Sequence, residues 1–164
     1  MFNLFKKKES KVYENDIIYA PISGTIKKLE DVEDKVFSQK MMGDGIAIIP
    51  DGDVVYAPTN GKLSVMFKTG HAVGVESDYG TSYIIHIGID TVNLEGQGFK
   101  KIASQDDKIE VGDKLIKLDL DYLKSVRCMD TMVVIENSAD YDLEILKEGH
   151  IDALEPLIKL HKKD

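Results

Sequence analysis

Short apolar runs, separated by Gly, Pro, Asn and Asp, dominate the chain from about residue 16 onward. They are rich in Val, Ile and aromatic residues, which is typical of strands. We predict strands over 17–19, 24–26, 46–49, 54–56, 63–67, 73–75, 83–87, 115–118 and 132–135. Only Tyr122–Arg127 and Asp140–Lys147 indicate short helices. Many closely spaced strands without a βαβ alternation predict an all-β, mainly antiparallel fold.

Two similar corners interrupt this pattern: Tyr19-Ala-Pro-Ile-Ser-Gly24 recurs as Tyr56-Ala-Pro-Thr-Asn-Gly61. Pro restricts φ and Gly tolerates positive φ, so each corner is predicted to join two strands. Glu110-Val-Gly-Asp113 predicts another turn into a strand. These corners resemble those of the biotinyl and lipoyl carriers. We therefore expect one barrel-sandwich hybrid or β-sandwich domain with very short helices over residues 16–164, after a flexible tail over 1–15.

Composition and charge narrow the functional classes. The chain has 164 residues, of which 43% are hydrophobic and 30% charged, as in an ordinary globular domain. With 29 acidic and 21 basic residues the net charge is −8, which argues against nucleic-acid binding and suits a basic protein partner. The single cysteine, Cys128, excludes an internal disulfide and a multi-thiolate zinc site. We expect a cytoplasmic protein.

The N-terminus combines apolar residues with a lysine cluster. Its apolar part is too short for a signal peptide, and no stretch approaches the ~20 apolar residues of a membrane span. A disordered leader and a short amphipathic anchor giving weak membrane-surface contact both remain open. The anchor would consist of Phe2, Leu4 and Phe5 with Lys6, Lys7, Lys8 and Lys11.

Of four histidines, two stand in apolar strands: His71 in Thr69-Gly-His-Ala72 and His86 in Ile84-Ile-His-Ile-Gly-Ile-Asp90. Strand alternation puts Ile84, His86 and Gly88 on one face, and Ile85, Ile87 and Ile89 on the other. We expect Gly88 to leave space beside His86, Asp90 to offer a polar group, and Thr69 to donate its hydroxyl to His71. His150 and His161 are expected to be exposed and without a catalytic role.

A histidine pair of this kind can be structural, bind a metal, or accept a phosphoryl group. Neutral imidazole, with a pKa near 6.5, is a good nitrogen nucleophile at neutral pH. A zinc site normally needs three protein ligands, and Asp90 is the nearest candidate for the third. A phosphoryl group needs hydrogen-bond donors around it, such as a second imidazole, a hydroxyl and backbone amides.

Five motifs in order resemble the glucose-type IIA component of the bacterial phosphoenolpyruvate:sugar phosphotransferase system. They are Met41-Met-Gly-Asp-Gly-Ile-Ala47, Thr69-Gly-His-Ala72, His86-Ile-Gly-Ile-Asp-Thr-Val92, Leu94-Glu-Gly-Gln-Gly-Phe99 and Val111-Gly-Asp113. The resemblance runs from about Tyr19 to Asn137 and weakly beyond. The sequence departs from the family pattern at Val32-Glu-Asp34, at Thr131-Met132, at Gly70 and at Ile84. None of these is an implied phosphoryl ligand, so we expect the departures to affect partner preference and loop rigidity more than the chemistry.

The resemblance implies a phosphohistidine carrier. It implies that His86 accepts a phosphoryl group on Nε2 from the phosphocarrier protein HPr and donates it to a cysteine of the IIB domain of a sugar permease. It implies that His71 donates to the phosphoryl oxygens, that Thr69 holds His71, that Gly88 permits the approach, and that Asp90 lies at the rim. The implied partner-docking residues are Asp34, Val36, Phe37, Met41, Met42, Phe67, Ile84 and Val92. Phe37 and Phe67 have an alternative interpretation as ordinary core.

No cofactor is implied for the transfer, although His71 and His86 are a possible zinc site, adventitious or completed by a partner protein. Regulatory binding of other proteins through the same face is also possible. Two alternatives stay open: a biotinyl or lipoyl carrier using Gln39-Lys-Met-Met42, and a zinc hydrolase of related β architecture.

Overall fold

Residues 12–164 are described by a computed structural model, and they form fourteen strands with two short α-helices. The helices are α1 (Lys35–Ser38) and α2 (Leu120–Val126). Three 3-10 helices cover Leu29–Asp31, Thr91–Leu94 and Ser138–Asp140. The strands are β1 (Ile17–Tyr19), β2 (Gly24–Lys28), β3 (Asp44–Pro50), β4 (Val54–Tyr56), β5 (Gly61–Met66), β6 (Ala72–Ser77), β7 (Ser82–Ile87), β8 (Phe99–Lys101), β9 (Lys108–Ile109), β10 (Lys114–Leu118), β11 (Thr131–Ile135), β12 (Tyr141–Ile145), β13 (His150–Ile151) and β14 (Pro156–Lys162).

The strands assemble into three sheets, and every recorded pair is antiparallel. The largest has eight strands in the order β13-β2-β3-β11-β7-β6-β5-β9. Two three-stranded sheets have the orders β1-β14-β12 and β4-β10-β8. The nine predicted strands are all present, and α2 covers most of the predicted helix at Tyr122–Arg127. The predicted all-β class with very short helices is therefore confirmed.

The two predicted corners are bonded to each other. The Tyr19 amide donates to the Pro58 carbonyl (3.0 Å), and the Tyr56 amide donates to the Pro21 carbonyl (2.8 Å). The third predicted turn joins them, since the Gly112 amide donates to the Ala57 carbonyl at 3.0 Å. These contacts between distant segments fold the chain over into one β domain.

Apolar side chains cover both faces of the large sheet. On one face, alternate residues of β7 such as Ile85 and Ile87 enter the main core. On the other face, Met132 and Val134 of β11 pack in a second cluster, which also contains Leu29, Val32, Phe37 and Ala47. Because the 29–42 segment covers only part of this second face, the adjoining strand β7 carries half-buried side chains there.

The predicted helix at Asp140–Lys147 is wrong: Tyr141–Ile145 form strand β12. Its register with β14 pairs Tyr141 with Lys162 and Ile145 with Ile158. Tyr141 is buried and alternates with exposed Asp142, a period-2 pattern. Strand β14 was not predicted, because lysines and His161 interrupt its apolar residues. Strands β8, β9 and β13 were not predicted either, because they are only two or three residues long.

The predicted face of Ile89 is also wrong. Ile89 packs against the second cluster, not with Ile85 and Ile87 in the main core. The alternation fails because Gly88 adopts a φ of 83°, which ends strand geometry after Ile87.

The predicted N-terminal anchor lies outside the described residues. Within them, the Tyr13 and Tyr19 rings pack edge to face with centroids 4.9 Å apart, so contact with the domain begins before residue 16. Among residues 12–164, no helix combines the length and the apolar character that crossing a membrane requires.

Gly45 and Gly74 provide a matched test of the strand packing. A Cβ at Gly45 would lie 1.8 Å from the Val133 carbonyl oxygen, whereas one at Gly74 would make ordinary contacts of 3.4 Å or more. We expect Gly45→Ala to lower the free energy of unfolding by about 3 kcal/mol, because the β3–β11 ladder must shift. Gly74→Ala should change it by less than about 1 kcal/mol. Urea unfolding measures both, and equal losses would contradict this account.

Candidate functional site

His71 and His86 lie side by side at one end of the large sheet. The register of β6 and β7 pairs Ala72 with His86, and the Ile87 amide donates to the His71 carbonyl at 2.8 Å. The two imidazole centroids are 5.2 Å apart, with the ring planes at 79°. The antiparallel pairing therefore brings together two histidines that are fifteen positions apart in the sequence.

The Gly88 carbonyl fixes the tautomer of His86. His86 Nδ1 lies 2.9 Å from the Gly88 oxygen. A carbonyl can only accept, so Nδ1 carries the proton and donates it. In the neutral ring, Nε2 then holds the lone pair. The free nucleophilic atom of His86 is therefore Nε2.

Gly88 does not leave the space that was predicted. A Cβ on Gly88 would lie 2.5 Å from Thr91 Cγ2 and 2.8 Å from Met129 Sδ, so its Cα side is closely packed. Its amide donates to the Asp130 carbonyl at 3.1 Å. The structure instead makes Gly88 the residue whose left-handed backbone directs a carbonyl at His86.

His71 is buried and neutral at physiological pH. The Thr69 hydroxyl contacts its Nδ1, as the sequence predicted. Burial, reinforced by repulsion from His86, lowers the pKa of His71 from 6.5 to about 4. A ring that stays unprotonated in this way has one N–H donor and one acceptor nitrogen.

The pKa of His86 is also lowered, and burial is again the main cause. The hydrogen bond to the Gly88 carbonyl and the charges of Asp34 and Asp90 oppose this shift, because each favours the protonated ring. The balance favours a neutral imidazole, the form in which Nε2 can act as a nucleophile.

Aromatic rings enclose both histidines. The Phe37 centroid is 5.0 Å from that of His86, and the Phe67 centroid is 5.2 Å from that of His71. Phe37 is 5% exposed and belongs to the second cluster, whereas Phe67 is 38% exposed. Phe37 is therefore part of the core as well as of the site wall, and Phe67 is a surface residue.

The other predicted docking residues differ in exposure. Val36, Met41 and Val92 are exposed, while Met42 and Ile84 are half-buried. Met42 packs against the second cluster, and Ile84 shares the His86 face of β7. Exposed apolar side chains next to a reactive group are typical of an interaction site.

Two carboxylates lie within electrostatic reach of His86. Asp34 caps α1, since its side chain accepts from the Val36 amide at 2.9 Å. Asp90 is exposed and has a φ of 59° at the start of the 91–94 3-10 helix. Both are predicted site residues that the structure places near His86.

The described residues do not bring a third metal ligand to the histidine pair. Within 12–164, no group of three His, Cys, Asp or Glu side chains is arranged to hold a metal ion. A zinc hydrolase normally needs three protein ligands, so the predicted completion by Asp90 is not supported.

Sequence reasoning missed the backbone groups and one ion pair near the site. The Gly88 and Asp130 carbonyls leave no side-chain pattern, and Lys27 and Asp130 are 103 positions apart.

His150 and His161 are exposed as predicted, with side chains 51% and 49% exposed. His150 contacts Asp51, and His161 contacts Glu144.

The family of the phosphoenolpyruvate-dependent sugar phosphotransferase system, EIIA 1, matches residues 16–141. The chain belongs to this family. Its members are the phosphotransferase components that carry phosphoryl groups in sugar uptake. The family match does not include the neighbouring residues 142–164, which form part of β12 and all of β13 and β14.

Relatives that carry this family's name align with most of the chain. The chain is 41% identical over 161 residues to the glucose-specific EIIA component of Haemophilus influenzae, covering 98% of this chain and 96% of that one. It is 44% identical over 144 residues to the glucoside-specific EIICBA component of Staphylococcus carnosus, covering 87% of this chain but only 21% of that protein. The solved glucose permease IIA from Mycoplasma capricolum superposes with a TM-score of 0.83 at 37% identity, covering 92% and 98% of the two chains.

The lowered pKa of His71 predicts a pH-dependent stability. The folded state binds fewer protons than the unfolded state between pH 4 and 6.5, so stability falls as the pH drops through that range. We expect wild type to lose up to about 3 kcal/mol more than His71→Gln between pH 7 and pH 4. Urea unfolding at a series of pH values measures the difference. Parallel curves for the two proteins would contradict the shift.

Proposed function

We propose that His86 takes a phosphoryl group from the phosphocarrier protein HPr and passes it to a cysteine of the IIB domain of a glucose-family sugar permease. The observation that carries this proposal is the hydrogen bond from His86 Nδ1 to the Gly88 carbonyl, which leaves Nε2 free beside His71. The names of the relatives support the choice of glucose-type sugars.

The transfer to the cysteine breaks the bond between Nε2 and phosphorus and forms a sulfur–phosphorus bond: the thiolate attacks after giving up its proton, and the His86 imidazole leaves with its electron pair. The first transfer, from HPr, exchanges one nitrogen–phosphorus bond for another. The lone pair of His86 Nε2 attacks phosphorus while the bond to the donor's imidazole breaks, and that imidazole leaves with its electron pair. His86 keeps its Nδ1 proton throughout, so the phosphorylated ring needs no proton transfer. Such a reaction depends mainly on positioning and charge stabilisation.

His71 supplies the hydrogen-bond donor for the new phosphoryl group. When the Thr69 hydroxyl donates to Nδ1, the proton of the neutral ring lies on Nε2. That N–H then stabilises the phosphoryl oxygens, an interaction strengthened by the apolar surroundings. His71 does not become the acceptor, because in this tautomer its Nε2 carries the proton and the lone pair of its Nδ1 already accepts from Thr69.

Phe37, Phe67 and the exposed Val36, Met41 and Val92 provide the docking surface. An apolar face excludes water from the phosphohistidine once a partner binds. HPr and IIB would use this face in turn, so each complex should be weak and short-lived. Asp34 and Asp90 would attract basic partners.

The transfer as proposed uses no cofactor, because the attacking atom, the donor N–H and the docking face all belong to this chain. His71 and His86 offer two nitrogen ligands, so zinc would bind only adventitiously or with a carboxylate from a partner protein. The same face would serve regulatory target proteins. Both phosphoryl transfers would take place in the cytoplasm, where the sugar is delivered.

Histidine variants test the acceptor assignment. The protein is incubated with phosphoenolpyruvate, enzyme I and HPr. Its intact mass is then measured, and the acid lability of any added group is tested. We expect wild type to gain one acid-labile phosphoryl group and His86→Ala to gain none. His71→Ala should be phosphorylated but should pass the group to IIB at least about tenfold more slowly, because the donor N–H is lost.

Controls make either outcome decisive. The activity of the donor is checked on another EIIA component, and the fold of each variant is checked by urea unfolding. A phosphorylated His86→Ala would contradict the assignment. An unphosphorylated wild type in the presence of active HPr would contradict the proposed function.

Asp34→Asn tests the acidic rim without disturbing α1, because Asn is as good an N-cap as Asp. We expect the association rate constant with HPr to fall about threefold at low salt, with the difference disappearing at high salt. The matched control is Asp142→Asn, which removes one charge from exposed strand β12. Stopped-flow association measures both variants. Equal effects would show a response to net charge alone and contradict the rim assignment.

A further inference from the structure

A largely buried ion pair lies on the face of the large sheet that carries His86, which we call the site face. Lys27 Nζ donates to Asp130 Oδ2 at 2.8 Å, and the two side chains are 26% and 6% exposed. The register pairs Lys27 with Ala47 and Ala47 with Met132. The ion pair therefore spans β3, because Lys27 lies on β2 and Asp130 directly precedes β11.

The pair is connected to the phosphoryl acceptor by two further hydrogen bonds. The Asp130 carbonyl accepts from the Gly88 amide at 3.1 Å, and the Gly88 carbonyl accepts from His86 Nδ1 at 2.9 Å. Met129, which precedes Asp130, packs against the Cα side of Gly88. A fixed position of residue 130 therefore fixes the carbonyl that accepts from the Gly88 amide. It also fixes the Met129 side chain that packs against Gly88.

The other ion pairs of the described residues have much more exposed side chains on their acidic partners. The carboxylate of Asp130 is 6% exposed, whereas that of Glu155 in the Lys147 pair is 36% exposed. A carboxylate this buried needs a partner, because an uncompensated charge in a low-dielectric setting is strongly unfavourable. The neighbours of Lys27 in the same row of the sheet, Ala47 and Met132, are buried and apolar, so the pair has a cost in desolvation that an apolar contact would avoid.

We propose that Lys27 and Asp130 are positioning residues for the phosphoryl acceptor: their ion pair holds the start of β11 so that Gly88 presents its carbonyl to His86 Nδ1. This inference rests on the proposed function of His86. The pair itself does not touch the phosphoryl group. It keeps the Nδ1-protonated tautomer dominant and Nε2 available for attack.

The first comparison uses Lys27→Met, Lys27→Arg and the control Lys147→Met. The 15N resonances of His86 in the unphosphorylated protein report its tautomer, and transfer from phosphorylated HPr gives kcat and KM. We expect Lys27→Met to reduce the Nδ1-protonated fraction and to lower kcat by about 10- to 100-fold with KM unchanged. Lys27→Arg should retain both properties, and Lys147→Met, which breaks an ion pair with Glu155, should alter neither.

A double variant separates positioning from simple structural support. Lys27→Met with Asp130→Leu removes both charges, so it leaves no unpaired buried carboxylate and should fold even where the single variant does not. We expect its stability to recover while the His86 tautomer and kcat stay impaired. Full recovery of tautomer and kcat would overturn the proposal, because an apolar contact would then serve equally well.

Two other results would also overturn it. A folded Lys27→Met with wild-type tautomer and kcat would show that the pair does not act on His86. A raised KM with wild-type kcat and tautomer would make Lys27 a docking residue. The tautomer is measured without any phosphoryl donor, so this test still decides the positioning role if wild type proves not to be phosphorylated.

Discussion

The hydrogen bond between His86 Nδ1 and the Gly88 carbonyl is the contact on which the chemistry of the site depends. It decides which nitrogen has the free lone pair, and it sets the plane of the ring. It exists only because residue 88 can adopt a φ of 83°, a conformation that is costly for a side chain other than Gly. The same turn ends β7 and sends Ile89 to the second cluster instead of the main core. One backbone conformation therefore fixes the end of a strand, the tautomer of His86 and the packing of the next residue.

The second constraint is that both imidazoles stay neutral. Two protonated rings with centroids 5.2 Å apart would repel each other, and burial already disfavours charge on either. Neutrality gives the pair complementary roles, since one ring can offer a lone pair while the other offers an N–H. The charges of Asp34 and Asp90 oppose this for His86, but burial has the larger effect and the pKa is lowered on balance. The two acidic residues can therefore attract a basic partner, as proposed, while the His86 ring stays neutral.

The sequence predicted the parts of the molecule that rest on local patterns. Alternation placed His86 on the face opposite Ile85 and Ile87, and the corner motifs marked where the sheets fold over. Contacts made through the backbone could not be predicted, because the carbonyls of Gly88 and Asp130 have no side-chain signature. Lys27 and Asp130 meet only after β2, β3 and β11 have paired, so no spacing along the chain indicates them. The helix predicted at Asp140–Lys147 failed for a related reason: its strand is specified by a partner, β14, that the sequence analysis had not recognised.

The large sheet also explains how a docking face can remain apolar without weakening the fold. Its main-core face contains most of the fully buried side chains, including Tyr83, Ile85 and Ile87, so the domain does not depend on covering the other face completely. The second cluster seals part of that face with Phe37, whose ring then forms the wall beside His86. In the proposed function, the remaining exposed apolar residues bind a partner, which would complete the desolvation of the histidines only while it is bound. A carrier needs this division, because a site that is fully enclosed at rest would exclude the donor and the acceptor along with the water.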